Sequence, residues 1–343
     1  MTFDIRRFDL RKIEYFIAVV EHRNISSAAE ALRVSQPTLS RQIRALEEQF
    51  NAPLFIRHGR GVVPTEAAKR LQAGLRGLEH QLRTLRDDVV AAAGEPSGEV
   101  ALGIPPSPRV FVALRIINAF CSAYPQVAIR ISEETSGDLR DLVARGEIDL
   151  AITNSDEPIQ GLASDQLVSE PMLLVGPREA MLSLKVRTPI ERLAELPLIL
   201  TTKPNSLRRI VDQKLGLQGL RARLRVEANT LPLMTDLVAQ GLGYTVLPLC
   251  GVLSLVRAGH LSASPIAGLR ITWTIARPMN RNLSVAARLM INVIFQVVRE
   301  LAESGAWPLA EVKRECRDVM RKPARAATAS AQRLATRSSS LTK

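Results

Sequence analysis

Between Ser35 and Arg44 the side-chain types and their spacing suit the reading of nucleic-acid base edges. Ser35, Gln36 and Thr38 are short polar donors and acceptors, and Arg41 and Arg44 carry planar guanidinium forks that match a guanine edge or a phosphate. At about 100° per residue, Pro37, Thr38, Arg41, Arg44 and Glu48 share one helical face. Leu39, Ile43, Leu46 and Phe50 form an apolar stripe on the other. A helix of this shape fits the major groove of a duplex, its N-terminal residues meeting the bases. An ordinary capped helix with a solvated basic face would look the same, so this segment alone leaves both readings open.

The elements that must position these residues follow from local signals. Ser35 is a suitable N-cap, and Pro37 is tolerated where the amides of a first turn have no intrahelical partner. Upstream, Ser27 with Glu30 three residues later reads as a capping box, which predicts a preceding helix that starts at Ser27. Its Ala28, Ala29 and Ala31 are small enough for another helix to cross closely, and Val34 is placed to plug the turn. Downstream, Asn51-Ala52-Pro53 forms a turn before the strand-like Leu54-Phe55-Ile56. Gly59 and Gly61 flank Arg60 and permit a hairpin tip, from which Val62-Val63 return. Arg57 and Arg60 on such a wing would contact the sugar-phosphate backbone or the minor groove, adding salt-sensitive affinity with little sequence reading. A plain solvated hairpin is the alternative.

Thr65 caps a long helix expected over 66–93. Ala68, Leu71, Leu75, Leu78, Leu82, Leu85 and Val89 step alternately by three and four, the 3.5-residue repeat of a coiled-coil seam. Gly74 and Gly77 each weaken the helix by ~1 kcal/mol relative to alanine, so it should need a partner. The same helix of a second subunit is the simplest one, with Leu71, Leu75, Leu78, Leu82 and Leu85 as the seam; packing onto its own chain is the other. A two-fold dimer would present two reading helices to successive turns of DNA. Gly94-Glu95-Pro96-Ser97-Gly98 ends the helix and marks a boundary.

These residues resemble the N-terminal domain of the LysR-type transcriptional regulators. The resemblance rests on a hydrophobic first helix over 13–20, the Ser/Ala-rich helix over 27–32, Val34-Ser35-Gln36-Pro37 with Leu39, Ser40, Ile43, Leu46 and Glu47, and Leu54-Phe55-Ile56-Arg57. It departs from the family pattern at Arg23-Asn24-Ile25, where Gly-Ser-Phe is commoner, and at Val63-Pro64-Thr65, where Leu-Thr is usual. It implies an α-helical winged helix-turn-helix domain over 8–65 with its motif at 25–44, a dimerisation helix over 66–93, and an effector domain over 99–303. Ser27, Ser35, Gln36, Pro37, Thr38, Arg41, Arg44, Arg57 and Arg60 are then the expected DNA contacts.

From Glu99 on, strand and helix patterns alternate. Strand runs at 100–104, 127–132 and 149–153 are separated by helical runs at 110–124 and 137–145. Such alternation argues for a mainly parallel sheet covered by helices. A second block runs from Met172-Leu173-Leu174-Val175 to Trp273-Thr274-Ile275-Ala276-Arg277, and a closing helix spans 284–303. The resemblance implies a periplasmic-binding-protein-like α/β pair of subdomains, 99–172 plus 278–303 and 173–277, hinged by two crossing strands with an effector between them. Open α/β sheets bind ligands at their strand ends, which singles out Pro105, Ser107, Thr135, Ser136, Thr201, Thr202 and Thr230. Hydroxyls and free amides at helix N-termini suit a carboxylate, a phosphate or a similar anion; serving only as N-caps is their other common use. The loop Gly103-Ile104-Pro105-Pro106-Ser107 is similar to that of the nitrogen-assimilation-control branch.

Composition narrows the classes. The 343 residues carry a formal net charge of +12, which favours a polyanionic partner. Without a run of about twenty apolar residues no membrane span is expected, and Met1-Thr2-Phe3-Asp4-Ile5 lacks the order of a signal peptide. Cys121, Cys250 and Cys316 are odd in number and far apart, as for reduced thiols in a bacterial cytoplasm, and burial is expected for Cys121 and Cys250. His22, His58, His80 and His260 never stand at metal-ligand spacing, and phosphate-loop, dinucleotide and nucleophile-elbow motifs are missing, which speaks against an enzyme. A solute receptor would leave the reading helix unexplained. Residues 320–343 are basic, without one acid, and are expected to be disordered. The expected partners are promoter DNA, a second copy as dimer or tetramer, a small effector and RNA polymerase, with no resident cofactor.

Overall fold

The computed structural model describes residues 9–59, 61–91, 96–154, 160–279 and 282–312. The chain divides into two compact units, one built mainly from residues up to Arg83 and one from Thr84 on. The expected tail over 320–343 and Cys316 lie outside the described residues. Among those described, no helix is long and apolar enough to cross a membrane.

In the first unit, α1 (Leu10–His22) is capped by Asp9, whose side chain accepts from Arg11 N. It ends at Arg23 in the left-handed conformation. α2 (Ile25–Ala31) starts two residues before the predicted position. Asn24, not Ser27, is its N-cap, accepting from Ser26 N and Ser27 N at 2.8 and 3.2 Å. The predicted capping box therefore gives way to a nearer amide that reaches both free N–H groups at once. Asn24 lies within the triplet that departs from the family pattern, in the place of a serine, which caps about as well. α3 (Gln36–Phe50) is capped by Ser35 as expected, and Arg33 turns the chain between the two helices at φ 55°. Val34 half-buries its side chain against the core.

Phe16, Val19, Ala28, Ala29, Leu39, Ile43 and Leu46 close one apolar core. Phe50 and Ala31 were expected to join it, yet both are exposed, because the helix ends carry them past their neighbours. β1 (Phe55–His58) and β2 (Gly61–Pro64) form an antiparallel hairpin with His58 opposite Gly61. Two ties hold it to the helices. Glu47 Oε1 accepts from Leu54 N at 2.8 Å and Phe55 N at 3.2 Å. Val62 N donates to Arg23 O at 2.9 Å. Gly61 is needed at that second tie, since it holds φ +149° and a Cβ there would stand 2.4 Å from Arg23 O.

α4 (Glu66–Ala91) follows, with Thr65 Oγ1 accepting from Ala68 N. Its apolar seam splits in two. Ala68 and Leu75 are buried, and Leu71 half-buried, against the core of their own unit. Beyond them exposure rises along the helix, from 36% at Leu78 to 51% at Leu82 and 61% at Leu85. The heptad pattern therefore serves two surfaces, and Leu71 and Leu75 are already used by their own chain.

The second unit is one eight-stranded sheet covered by helices. β3 (Gly98–Gly103) leads through α5 (Pro106–Pro108) and a π-helical turn (Arg109–Ala113) into α6 (Leu114–Ala123). β4 (Val127–Ser132), α7 (Ser136–Arg145) and β5 (Leu150–Asn154) complete the first half. The long β6 (Leu162–Pro177) crosses to a second half of α8 (Arg192–Glu195), β7 (Leu198–Leu200), α9 (Ser206–Gly216) and β8 (Leu224–Glu227). α10 (Leu231–Ala239), β9 (Tyr244–Pro248) and α11 (Leu249–Arg257) finish that half. The 18-residue β10 (Leu261–Pro278) then crosses back to α12 (Val285–Glu303).

The strand order is β4-β3-β5-β10-β6-β9-β7-β8. Both flanks are parallel, but β10 runs antiparallel to β5 and β6, and β6 to β9. The sheet is mixed rather than mainly parallel because the two crossing strands pair with each other at its centre. Trp273 to Ala276 pair with β5, so the end of β10 lies in the first half, although sequence reading had grouped it with the second. After α12 the chain folds back over the crossing. Glu311 exchanges backbone hydrogen bonds with Ser169 of β6 at 2.8 and 2.9 Å.

Candidate nucleic-acid interface and ligand cleft

On α3, Ser35, Gln36, Pro37, Arg41 and Arg44 are exposed and Thr38 half-buried. Ser35 Oγ caps Thr38 N and shares a 2.7 Å hydrogen bond with Thr38 Oγ1, which fixes both hydroxyls at the helix start. Among the described residues neither Arg41 nor Arg44 has an ion-pair partner, so both guanidinium groups are available to a polyanion. Ser27 is exposed in the first turn of α2. Arg57 lies on β1, and Arg60 is outside the described residues. The unit thus offers a helix whose apolar stripe is spent on the core and whose basic face is free.

A small cleft opens in the second unit, where strand ends meet helix starts. Pro105 and Ser107 line it from the start of α5, Thr135 and Ser136 from the start of α7, and Thr201 from the end of β7. Thr202 and Thr230, also predicted, are absent from the lining. Thr202 directs both its N and its Oγ1 to Asn229 Oδ1, at 3.0 and 2.9 Å, and Thr230 is an exposed N-cap. Asn229, which precedes Thr230 at the start of α10, does line the cleft, and so do four residues that sequence reading missed: Asn154, Asn205, Ser206 and Trp273. Asn205 and Ser206 carried a usable signal, a cap-type pair opening α9. Asn154 and Trp273 carried none, since only the β5–β10 register sets them opposite each other.

Polar atoms cross this cavity. Ser206 Oγ donates to Asn154 Oδ1 at 2.9 Å, and Asn154 N donates to Ser136 Oγ at 3.3 Å. Thr135 Oγ1 caps α7, donating to Asp138 Oδ2 and accepting from Asp138 N. Thr201 Oγ1 is different. It is buried and, among the described residues, has no hydrogen-bond partner. Leu231, Met234, Leu247 and Trp273 add apolar surface to the lining.

No acidic, basic or histidine side chain lines the cavity among the described residues. Arg208, whose Nη1 donates to Thr201 O, is neutralised by Asp212 and Glu227. The charge preference is therefore set by backbone. The N-termini of α7, α9 and α10 all reach the lining, and their free N–H groups and dipoles favour negative charge. Among the described residues no cluster of metal-ligating side chains occurs.

Two cysteines are described. Cys250 is buried, and burial followed by the adjacent Glu170 carboxylate pushes its thiol well above the usual range. Cys121 was expected to be buried but is exposed, because α6 turns it away from the sheet.

Comparison with known proteins agrees with this geometry. The family pattern described as bacterial regulatory helix-turn-helix protein, lysR family, matches residues 10–69, and that of the LysR substrate binding domain matches residues 93–299. The nitrogen assimilation regulatory protein nac of Escherichia coli (strain K12) is 27% identical over 305 residues, 88% of this chain and 99% of that protein. Full-length CbnR, solved in complex with its target DNA, has a TM-score of 0.65 at 19% identity over 85% of this chain and 99% of that one. The regulatory domain of Synechocystis PCC6803 CcmR, solved in complex with 2-PG, has a TM-score of 0.54 at 19% identity, covering 59% of this chain and 98% of that one.

Proposed function

Because the chain belongs to the LysR family of DNA-binding transcriptional regulators, and is a regulator rather than an enzyme, we propose that a small organic anion in the cleft sets how it holds promoter DNA. The carrying observation is Thr201 Oγ1, a buried hydroxyl without a partner among the described residues, in a cavity faced by three helix N-termini. Burying a hydroxyl unpaired costs ~1–3 kcal/mol, which an anion accepting from it would remove. The apolar wall of Leu231, Met234, Leu247 and Trp273 suits the carbon skeleton of that ligand. With no cationic side chain in the lining among the described residues, a monoanion such as a carboxylate fits better than a di- or trianion, whose desolvation dipoles alone would not offset.

In this reading Ser35, Gln36, Thr38, Arg41 and Arg44 meet base edges, while Ser27, Pro37, Arg57 and Arg60 approach the backbone. Leu78, Leu82 and Leu85 pair with the same residues of a second subunit, as a dimer or a dimer of dimers, on nucleoid DNA in the cytoplasm. Closure of the cleft changes the spacing of the reading heads, and RNA polymerase reads the result. A ligand can do this only as far as it prefers one arrangement.

The test is to select genomic fragments on the purified protein and repeat the binding with short-chain carboxylates present. A selected site whose mobility shift or DNase footprint changes with a carboxylate supports the reading. Failure to retain any fragment at modest ionic strength would refute the DNA role. Retention indifferent to carboxylates, amines and phosphates alike would refute the effector role.

A further inference from the structure

Glu170 is fully buried in β6, opposite Ile271 of β10, where the two long strands cross. Its carboxylate gathers donors from three separate parts of the unit. Trp273 Nε1 of β10 donates to Oε1 at 2.6 Å. Trp307 Nε1, from the segment after α12, donates to Oε2 at 2.9 Å. Cys250 N, at the start of α11, donates to Oε2 at 2.9 Å.

Burial pushes this carboxyl up from its ordinary range, while the donors around it act the other way. A buried carboxylate is costly unless its lone pairs are filled. Here the surroundings are matched to an acceptor, because indole N–H and backbone N–H are donors only. A glutamine would set its own NH₂ against one of them. The N-terminus of the nine-residue α11 adds a favourable dipole.

The protein has two tryptophans, and both indoles end on this one carboxylate. They do different work. Trp273 is a wall of the cleft. Trp307 is buried, packs edge-on to Phe111 with ring centroids 5.1 Å apart, and anchors the segment that pairs with β6 through Glu311 and Ser169. That segment extends past residue 299, where the family match stops, and nothing in the sequence reading assigned it a role.

We infer that Glu170 is the positioning residue of the cleft, holding the Trp273 indole at its wall and coupling that wall to the C-terminal segment through Trp307. The inference rests on the cleft being a ligand site, but its first test needs no ligand. Each indole N–H in full-length protein labelled with [15N]tryptophan gives one resonance, so the indole region of the spectrum holds two peaks. Charge-assisted hydrogen bonds place both far downfield. Glu170→Gln moves both upfield, and Trp307→Phe moves the remaining Trp273 peak although the substituted ring is not in the cleft. A Trp273 peak unmoved by Trp307→Phe overturns the coupling, and this arm decides even if Glu170→Gln does not fold. Peaks unmoved in a folded Glu170→Gln overturn the positioning role.

Sodium butyrate is the ligand probe. In the wild type its titration moves both peaks, whereas in Glu170→Gln it moves Trp273 alone. Movement of Trp273 alone in the wild type overturns the coupling. If butyrate moves neither peak, the carboxylate reading of the cleft fails, while the ligand-free spectra still judge Glu170.

Discussion

Ser206 donates its hydroxyl to Asn154 Oδ1 at 2.9 Å and so joins the start of α9 to the end of β5 across the cleft. Asn154 in turn gives its backbone N–H to Ser136 at the start of α7. This cross-cleft contact is one neutral hydrogen bond, worth ~0.5–1.5 kcal/mol net. A ligand taking over those hydroxyls can replace it at little cost, as the proposed response to a small anion requires.

Ser206→Ala removes the link without disturbing the cap of α9, which comes from Asn205. The expected result is a loss of no more than about 1 kcal/mol in global stability, with faster amide exchange at Asn154 and at the first turn of α9. Unchanged exchange there would show that the bond does not hold the halves together.

Thr201→Val separates ligand from fold. The hydroxyl it deletes has no partner among the described residues, so the variant escapes a burial cost of ~1–3 kcal/mol and should melt at or above the wild-type temperature. Its carboxylate response on DNA should fall at least tenfold. A drop in melting temperature would mean that Thr201 stabilises the fold itself.

How much of this was legible depends on how local each cause is. The Ser35 cap and the α3 stripe could be read because both arise within one turn or one helix. Ser27 and Asn24 are both cap-type residues three positions apart, and the choice between them falls outside the local pattern: Arg23 turns left-handed and its carbonyl is held by Val62 N from the wing. Ser107, Thr135 and Thr201 could be placed because strand ends converge in open α/β sheets. Trp273 and Asn154 could not, since long-range register brings them together. Glu170 stands between Ser169 and Pro171 and looks like a surface acid; only the crossing of β6 and β10 buries it.

For Arg41, exposed on the free face of α3, alanine substitution should cost ~1–3 kcal/mol on the selected site and much less on random duplex. Competition mobility shifts measure that ratio. Equal losses on both DNAs would reassign Arg41 from base to backbone.

The two halves of the α4 seam predict opposite phenotypes. Leu75 is 7% exposed and belongs to the core of its own unit, so Leu75→Ala should cost ~2–5 kcal/mol of stability. Leu82 is 51% exposed in the single chain, so Leu82→Asp should leave that core unchanged. What it should disrupt is the proposed apolar contact between subunits, where an unpaired buried carboxylate is strongly disfavoured. Sedimentation velocity should therefore show Leu82→Asp as monomer and Leu75→Ala as a destabilised dimer. Binding to two half-sites should collapse only for the former, because each monomer keeps its reading helix but loses the tether that doubles its contacts. If Leu82→Asp sediments as the wild type does, the subunits meet through another surface, and the exposed leucines of α4 need a different explanation.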